Sequence, residues 1–316
     1  MVNKNFDHGV DSLSLERQIL LAQVAERYYV KEQSQQEISD ALDTSRSNVS
    51  RLLDAARKHG VIKFVVANPI RRHTELENKL RARAALDDIC VVASADESLE
   101  LVGNCGARWI EQRKGGRLAI GWGRCVQAAI DQVSVEQPIN IEIVQIGGDL
   151  TIAPAASGHE LVRRLANALG GRYEFLHSPA IVETERAATE LLSDPRIASQ
   201  LDRARTSDAA LIGIGTPDLA VARHASPDIK IDESTVASDV AARLLDHSGN
   251  ELDSPLRQRV VALEIEDLRA IPEVVGIAAG GLKGAAIAAV LRAGLINVLI
   301  CDQPAAARAL EELSRT

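Results

Sequence analysis

Ser45, Arg46, Ser47, Asn48, Ser50 and Arg51 bring six hydrogen-bonding side chains into seven consecutive positions. Val49, Leu52, Leu53 and Ala56 recur among and after them at spacings of three and four. A helix therefore turns its apolar residues to one side and the polar set to the other. A helix whose N-terminal half presents Arg, Asn and Ser suits the major groove. Arg reads a guanine edge, Asn an adenine edge, and Ser contacts a base or a phosphate. The same face on an ordinary helix would only be solvated. What favours DNA is the run of bases that follows, Arg57, Lys58, His59, Lys63, Arg71 and Arg72, with Asp54 its one acid. Lys63 is assigned to a phosphate.

A second chemistry sits at glycine turns: Gly121-Trp122-Gly123-Arg124, Gly147-Gly148, Gly213-Ile214-Gly215-Thr216 and Gly280-Gly281-Leu282-Lys283. Each closes an apolar run and leads into a helix, directly or after a loop. Glycine lets a ligand approach the backbone, and a helix N-terminus offers N–H groups and partial positive charge to an anion. One such turn more often serves packing. Several on one edge, with Arg124 and Lys283 at two of them, point to a small phosphorylated ligand. None reads GxGxxG with an acid about 20 residues on, which disfavours a dinucleotide.

The elements that must hold these residues follow from the pattern. Residues 1–14 read as a flexible tail. Residues 15–69 read as a winged helix-turn-helix domain: a first helix, LERQILLAQVAERYYV, whose Leu15, Ile19, Ala22 and Tyr29 are available to close its core; two helices around Asp43-Thr44-Ser45; and a wing from VIKFVVANP. Residues 70–86 read as a linker helix with Leu76, Leu80 and Ala84 on one stripe, packed on the body or on a partner. From residue 87 to 316 the runs DICVVAS, RLAIGWG, IEIVQIGG, AALIGIGT, VVGIAAGG and NVLICD alternate with helical patterns. That alternation gives an α/β, Rossmann-like domain with a mainly parallel sheet, whose strand carboxyl ends would gather the glycine turns along one edge.

Composition limits the alternatives. The formal charge of −8 and pI near 5.5 suit an acidic body with one basic face, not a protein coated in nucleic acid. Aromatics make up 3% of the chain, too few for base-stacking platforms. The four cysteines, Cys90, Cys105, Cys125 and Cys301, share no metal-ligand spacing and read as reduced thiols. With no signal-like N-terminus and no run of ~20 apolar residues, the expectation is a cytoplasmic protein without membrane, metal or cofactor.

Taken in order, GWGR, GIG, the late GG-x-K and GLINVLI, with the helix-turn-helix SQQEISDALDTSRSNVSRLLDAARKHGVI, resemble the SorC family of sugar-binding transcriptional regulators over essentially the whole chain. The resemblance implies a homotetramer that binds operator DNA and a sugar, polyol or sugar-phosphate effector, in a domain similar to sugar-phosphate isomerases. It implies a phosphate cradle at Gly121, Trp122, Gly123, Arg124 and Cys125, with Gly147 and Gly148 nearby, Lys283 helping to hold the effector, and Asp239 accepting from sugar hydroxyls. Two positions depart from the family pattern: Cys125 stands where Thr or Ser is frequent, and Ser238 where Gly is usual. Both bear on whether the effector carries a phosphate.

Two other readings remain beside this one. An isomerase-type enzyme carrying a DNA-binding domain would need a general base, for which Asp239 and Asp149 are the candidates, though neither pairs with a histidine. A constitutive DNA-binding protein would use its α/β body only to oligomerise. Arg223 and His224 lie in a polar loop after the GIGT run and are weaker ligand candidates, Gln145 reads as a strand residue, and His177 as structural. VAARLLD reads as a helix, which Asp239 would cap if it does not bind hydroxyls.

Overall fold

The computed structural model describes residues 14–62, 70–150, 157–216 and 228–315. The chain divides into two compact units, Met1–Asn68 and Pro69–Thr316.

The first unit packs three helices, α1 (Leu15–Ala25), α2 (Gln35–Ala41) and α3 (Arg46–Lys58), with a π-helical turn, Glu26–Val30, extending α1. Each start is fixed by a serine. Ser14 caps α1, Ser34 forms a reciprocal capping box with Glu37 at α2, and Ser45 accepts from the Asn48 N–H at α3. Ile38 and the α3 seam of Val49, Leu52, Leu53 and Ala56 close on α1. The face that α1 contributes is not the expected one. Leu21, Val24 and Ala25 are buried, while Leu15, Ile19 and Tyr29 stand 71%, 49% and 37% exposed. The helix carries apolar residues on two sides, so its period fits either face, and only packing against α2 and α3 selects one. Lys63 and most of the VIKFVVANP segment lie outside the described residues, as do Arg223 and His224.

The second unit opens with α4 (Thr74–Arg81). Leu80 is fully buried, with Leu76 and Ala84 packed against the same core, so the stripe faces the body of this unit. The segments β1 (Asp88–Val92), α5 (Leu99–Glu111), β2 (Gly116–Ile120), α6 (Arg124–Gln132), β3 (Ile141–Gln145), α7 (Gly158–Leu169), β4 (Arg172–Tyr173), α8 (Glu185–Leu192), α9 (Pro195–Arg205) and β5 (Ala209–Gly213) follow. A short hairpin, β6 (Ser238–Val240) and β7 (Arg243–Leu245), precedes α10 (Ile265–Ala270), β8 (Val274–Ala278), α11 (Gly284–Arg292), β9 (Val298–Asp302) and α12 (Gln303–Leu313).

Seven strands form one sheet in the order β1-β9-β8-β5-β2-β3-β4, and every pairing in it is parallel. Strands covered on both faces need apolar residues at nearly every position, which explains unbroken runs such as IEIVQ and VLICD. From β2 the chain winds through β3 and β4 to one edge. It then returns to place β5 on the other side of β2 and continues outward. Strand order thus reverses between β2 and β5, and the carboxyl ends there part to leave a crevice.

One cysteine expectation is corrected. Cys90 on β1 and Cys105 on α5 are joined as a disulfide, whereas Cys125 and Cys301 are free and buried. A strand and the helix that follows it bring side chains 15 residues apart in sequence into contact, which linear spacing does not display. Among the described residues no helix is long and apolar enough to cross a membrane.

Candidate functional site

The crevice at the strand-order reversal is a cavity of about 410 Å³. Its floor is apolar, from Trp122, Ile146, Ile212, Ile214 and Ile277, and its polar groups are Arg124, Cys125, Thr216, Asp239 and Lys283. An apolar lining with a few converging polar groups is the composition of a small-molecule site.

Local geometry explains how each group arrives. Gly123 has φ 132°, a backbone open only to glycine, and ends the turn after β2 so that α6 starts at the cavity wall. No side chain caps α6, whose first two residues, Arg124 and Cys125, line the cavity. An anion there would complete that N-terminus. Lys283 is carried by the Gly280 turn, where φ is 95°. That turn is held by Asp302, a fully buried carboxylate at the end of β9 that accepts from the N–H of Gly280 at 2.9 Å, Ala305 at 3.1 Å and Ser98 at 3.1 Å.

Burial pushes the Lys283 ammonium below its ordinary value. Cys125, Asp239 and Glu97 pull it back up, while Arg124 adds to the lowering. Burial raises the Cys125 thiol to about 11, so it is neutral at pH 7. Arg124 is exposed and lies 3.6 Å from Glu97. The cavity therefore brings together the Lys283 amine, the Asp239 carboxyl group and the Cys125 thiol, with the Arg124 guanidinium at its rim.

The structure brings Gly121, Trp122, Gly123, Arg124, Cys125, Asp239 and Lys283 to one cavity. Gly147 and Gly148 are absent from its lining. They let the chain after β3 run against residues 178–179 and 261–262, since a Cβ on Gly148 would strike the Pro179 carbonyl and one on Gly147 would strike Ala262. Asp149 accepts from the N–H of Gly158, the first residue of α7, at 2.6 Å. Asp302 and Arg243 were not singled out in the sequence. The run CDQP, an acid before a proline at a helix start, is the cap signature that would have found Asp302. Among the described residues no group of three or more His, Cys, Asp or Glu is arranged to hold a metal ion.

In the first unit Arg46, Ser47 and Arg51 are exposed on α3. Ser45 is engaged as the helix cap and also bonds the Ser47 hydroxyl at 3.0 Å. Asn48 donates to Thr44 Oγ1 at 2.9 Å, and Ser50 is half-buried.

Comparison with known proteins places these features in context. Residues 68–311 match the family model Sugar-bind, a sugar-binding domain. The chain is 24% identical to the deoxyribonucleoside regulator of Bacillus subtilis (strain 168) over 310 residues, covering 94% of this chain and 99% of that one. It is 27% identical to the erythritol catabolism regulatory protein EryD of Brucella abortus (strain 2308) over 290 residues, covering 87% and 91%. The crystal structure of the full-length sorbitol operon regulator SorC from Klebsiella pneumoniae superposes with a TM-score of 0.69 at 23% identity, covering 93% of this chain and 99% of that one. This last likeness is one of fold.

Proposed function

Because this chain belongs to the SorC family of sugar-binding transcriptional regulators, we propose that its cavity takes a sugar, sugar alcohol or sugar phosphate, and that occupancy alters affinity for operator DNA. The observation that carries this reading is the pairing of Lys283 and Asp239 in one cavity at the strand-order reversal. A cation near the uncapped N-terminus of α6 suits the anionic end of a ligand, and a carboxylate suits its hydroxyls. Relatives named for deoxyribonucleosides, sorbitol and erythritol support a polyhydroxylated ligand.

The proposed partners are double-stranded operator DNA, contacted through Arg46, Ser47, Asn48, Ser50, Arg51 and Lys63, and three further copies of the chain in a homotetramer. The proposed setting is the cytoplasm. The effector must favour one arrangement of the assembly over another, because equal affinity for both would shift nothing. The cavity is read as a binding site without turnover. Of the two carboxylates available to an isomerase, Asp149 is engaged by Gly158, and among the described residues the cavity lining holds no histidine.

A thermal-shift screen against sugars, polyols and their phosphates tests the reading. A ligand at 100 times its dissociation constant adds about 2.7 kcal/mol to native stability. Operator binding is then measured with and without each hit. A hit that leaves operator affinity unchanged would favour the constitutive reading, and turnover of the hit the enzymatic one.

A further inference from the structure

Arg243 is the largest side chain among the fully buried residues, with 1% of its side chain exposed. It begins β7, directly after a turn in which Ala241 and Ala242 both hold left-handed φ, 55° and 64°. Two such residues define a type I′ hairpin turn, a conformation that Asn-Gly adopts readily and alanine resists. Something outside the turn must hold it.

The guanidinium supplies that hold. It donates to Glu264 at 2.8 Å, to Glu251 at 3.3 Å, and to the carbonyls of Leu263 at 3.3 Å, Arg257 at 3.3 Å and Ala262 at 3.4 Å. The segment it grips is in turn fastened to the end of β3. Leu263 donates to the Ile146 carbonyl at 2.8 Å, and Gly148 donates to the Val261 carbonyl at 2.8 Å. Ile146 lines the cavity from one side, and Asp239 and Ala241, on the hairpin that Arg243 anchors, line it from another. Arg243 is thus the joint between two walls of one cavity. An apolar side chain would fill the space without the cost of burying a charge. It could not serve acceptors from three separate segments at once, as a planar fork of donors does.

We propose that Arg243 is a positioning residue for effector recognition: by tying the β6–β7 hairpin to the strand end at Ile146, it sets where the Asp239 carboxylate stands in the cavity. This rests on the reading of that cavity as the effector site. Without the tie, the alanine turn relaxes and Asp239 moves away from ligand hydroxyls, although Arg243 touches no ligand itself.

The test has two arms. In the first, amide hydrogen exchange is compared between the parent chain and Arg243→Lys, with Glu251→Gln as a milder variant should Arg243→Lys fold poorly. Faster exchange at Gly215 and Asp239, with Leu118–Ile120 of β2 unchanged, is expected. Equal change at all these sites, or none, would overturn the proposal. In the second, binding of sorbitol 6-phosphate and erythritol 4-phosphate is titrated in a double-mutant cycle with Asp239→Asn. Arg243→Lys should weaken binding about tenfold or more when Asp239 is present, as small misplacements of a positioned group do. It should cost almost nothing further when Asp239 is Asn. The same fractional loss in both backgrounds would mean a merely structural arginine. If neither probe binds the parent chain, that result counts against the effector reading, and the exchange arm alone decides the positioning role.

Discussion

Asp239 and Gly215 exchange two backbone hydrogen bonds, Gly215 N–H to the Asp239 carbonyl at 2.8 Å and Asp239 N–H to the Gly215 carbonyl at 3.1 Å. This bridge docks a three-residue strand against the turn after β5, and it is why a carboxylate 23 residues beyond Thr216 lines the cavity with it. Asp239 therefore stands in the cavity wall through main-chain pairing that a side-chain substitution leaves in place. Asp239→Asn should leave the unliganded protein folded, with a melting temperature close to the parent's, because the main-chain bridge to Gly215 is unchanged. Hydrogen bonds to a charged group contribute about 1.5–3 kcal/mol, so calorimetric affinity for a polyol or its phosphate should fall at least tenfold. A large loss of stability with unchanged affinity would reverse the assignment.

Lys283 gives the site a pH signature. Its folded value lies below the ordinary 10.5 because burial disfavours the ammonium. Between the two values the unfolded chain binds more protons than the folded one, so stability of the unliganded protein rises with pH across that window. An anion beside Lys283 restores the ammonium, so binding of a phosphorylated ligand takes up protons within that same window and weakens as pH rises through the folded value. Calorimetry in two buffers of different ionisation enthalpy measures the uptake. Lys283→Met should remove both the alkaline gain in stability and the uptake, and weaken the phosphorylated ligand by about 2 kcal/mol or more.

Cys125 decides how well the turn after β2 can hold a phosphate. Its thiol, raised to about 11 by burial, is a weak donor and alkylates slowly at neutral pH. Cys125→Ser replaces it with a strong donor of similar size. One added hydrogen bond contributes about 1 kcal/mol, so affinity for a sugar phosphate should rise roughly fivefold while affinity for the free polyol stays the same. Equal change for both ligands would mean that the phosphate does not seat at this turn.

The sequence made the sheet legible because strands buried on both faces must be apolar throughout, and the runs from DICVVAS to NVLICD are the six strands β1, β2, β3, β5, β8 and β9. The helix expected over VAARLLD is instead the β6–β7 hairpin. Strands of three residues carry no period, and Ala241-Ala242 occupies a turn whose usual sequence signal is Asn-Gly. Arg243 was passed over for the same reason, since a charge in the run AARLL looks like a surface residue until its acceptors are assembled from distant segments. The α1 face was ambiguous because Leu15 and Ile19 fit a helical period as well as Leu21 and Val24 do. Gly147 and Gly148 resemble binding glycines in sequence, and their tight neighbours appear only in three dimensions.

In the first unit the structure separates side chains engaged at the start of α3 from side chains left exposed on it. Ser45 accepts from the Asn48 N–H, and Asn48 bonds Thr44, so both side chains already support the helix start. Ser45→Ala should cost about 1 kcal/mol of stability, the usual loss for an N-cap, and weaken every DNA sequence alike by loosening the helix. Arg46 is exposed in the first turn of α3. On the proposed reading its guanidinium contacts a guanine edge, and Arg46→Ala should cost about 1–3 kcal/mol on the cognate operator and relax preference at one base position. Binding measured on the operator, on single-base variants and on unrelated DNA separates the two cases. If Arg46→Ala lost the same free energy on all three, its role would be phosphate contact, and base reading would pass to Ser47 and Arg51.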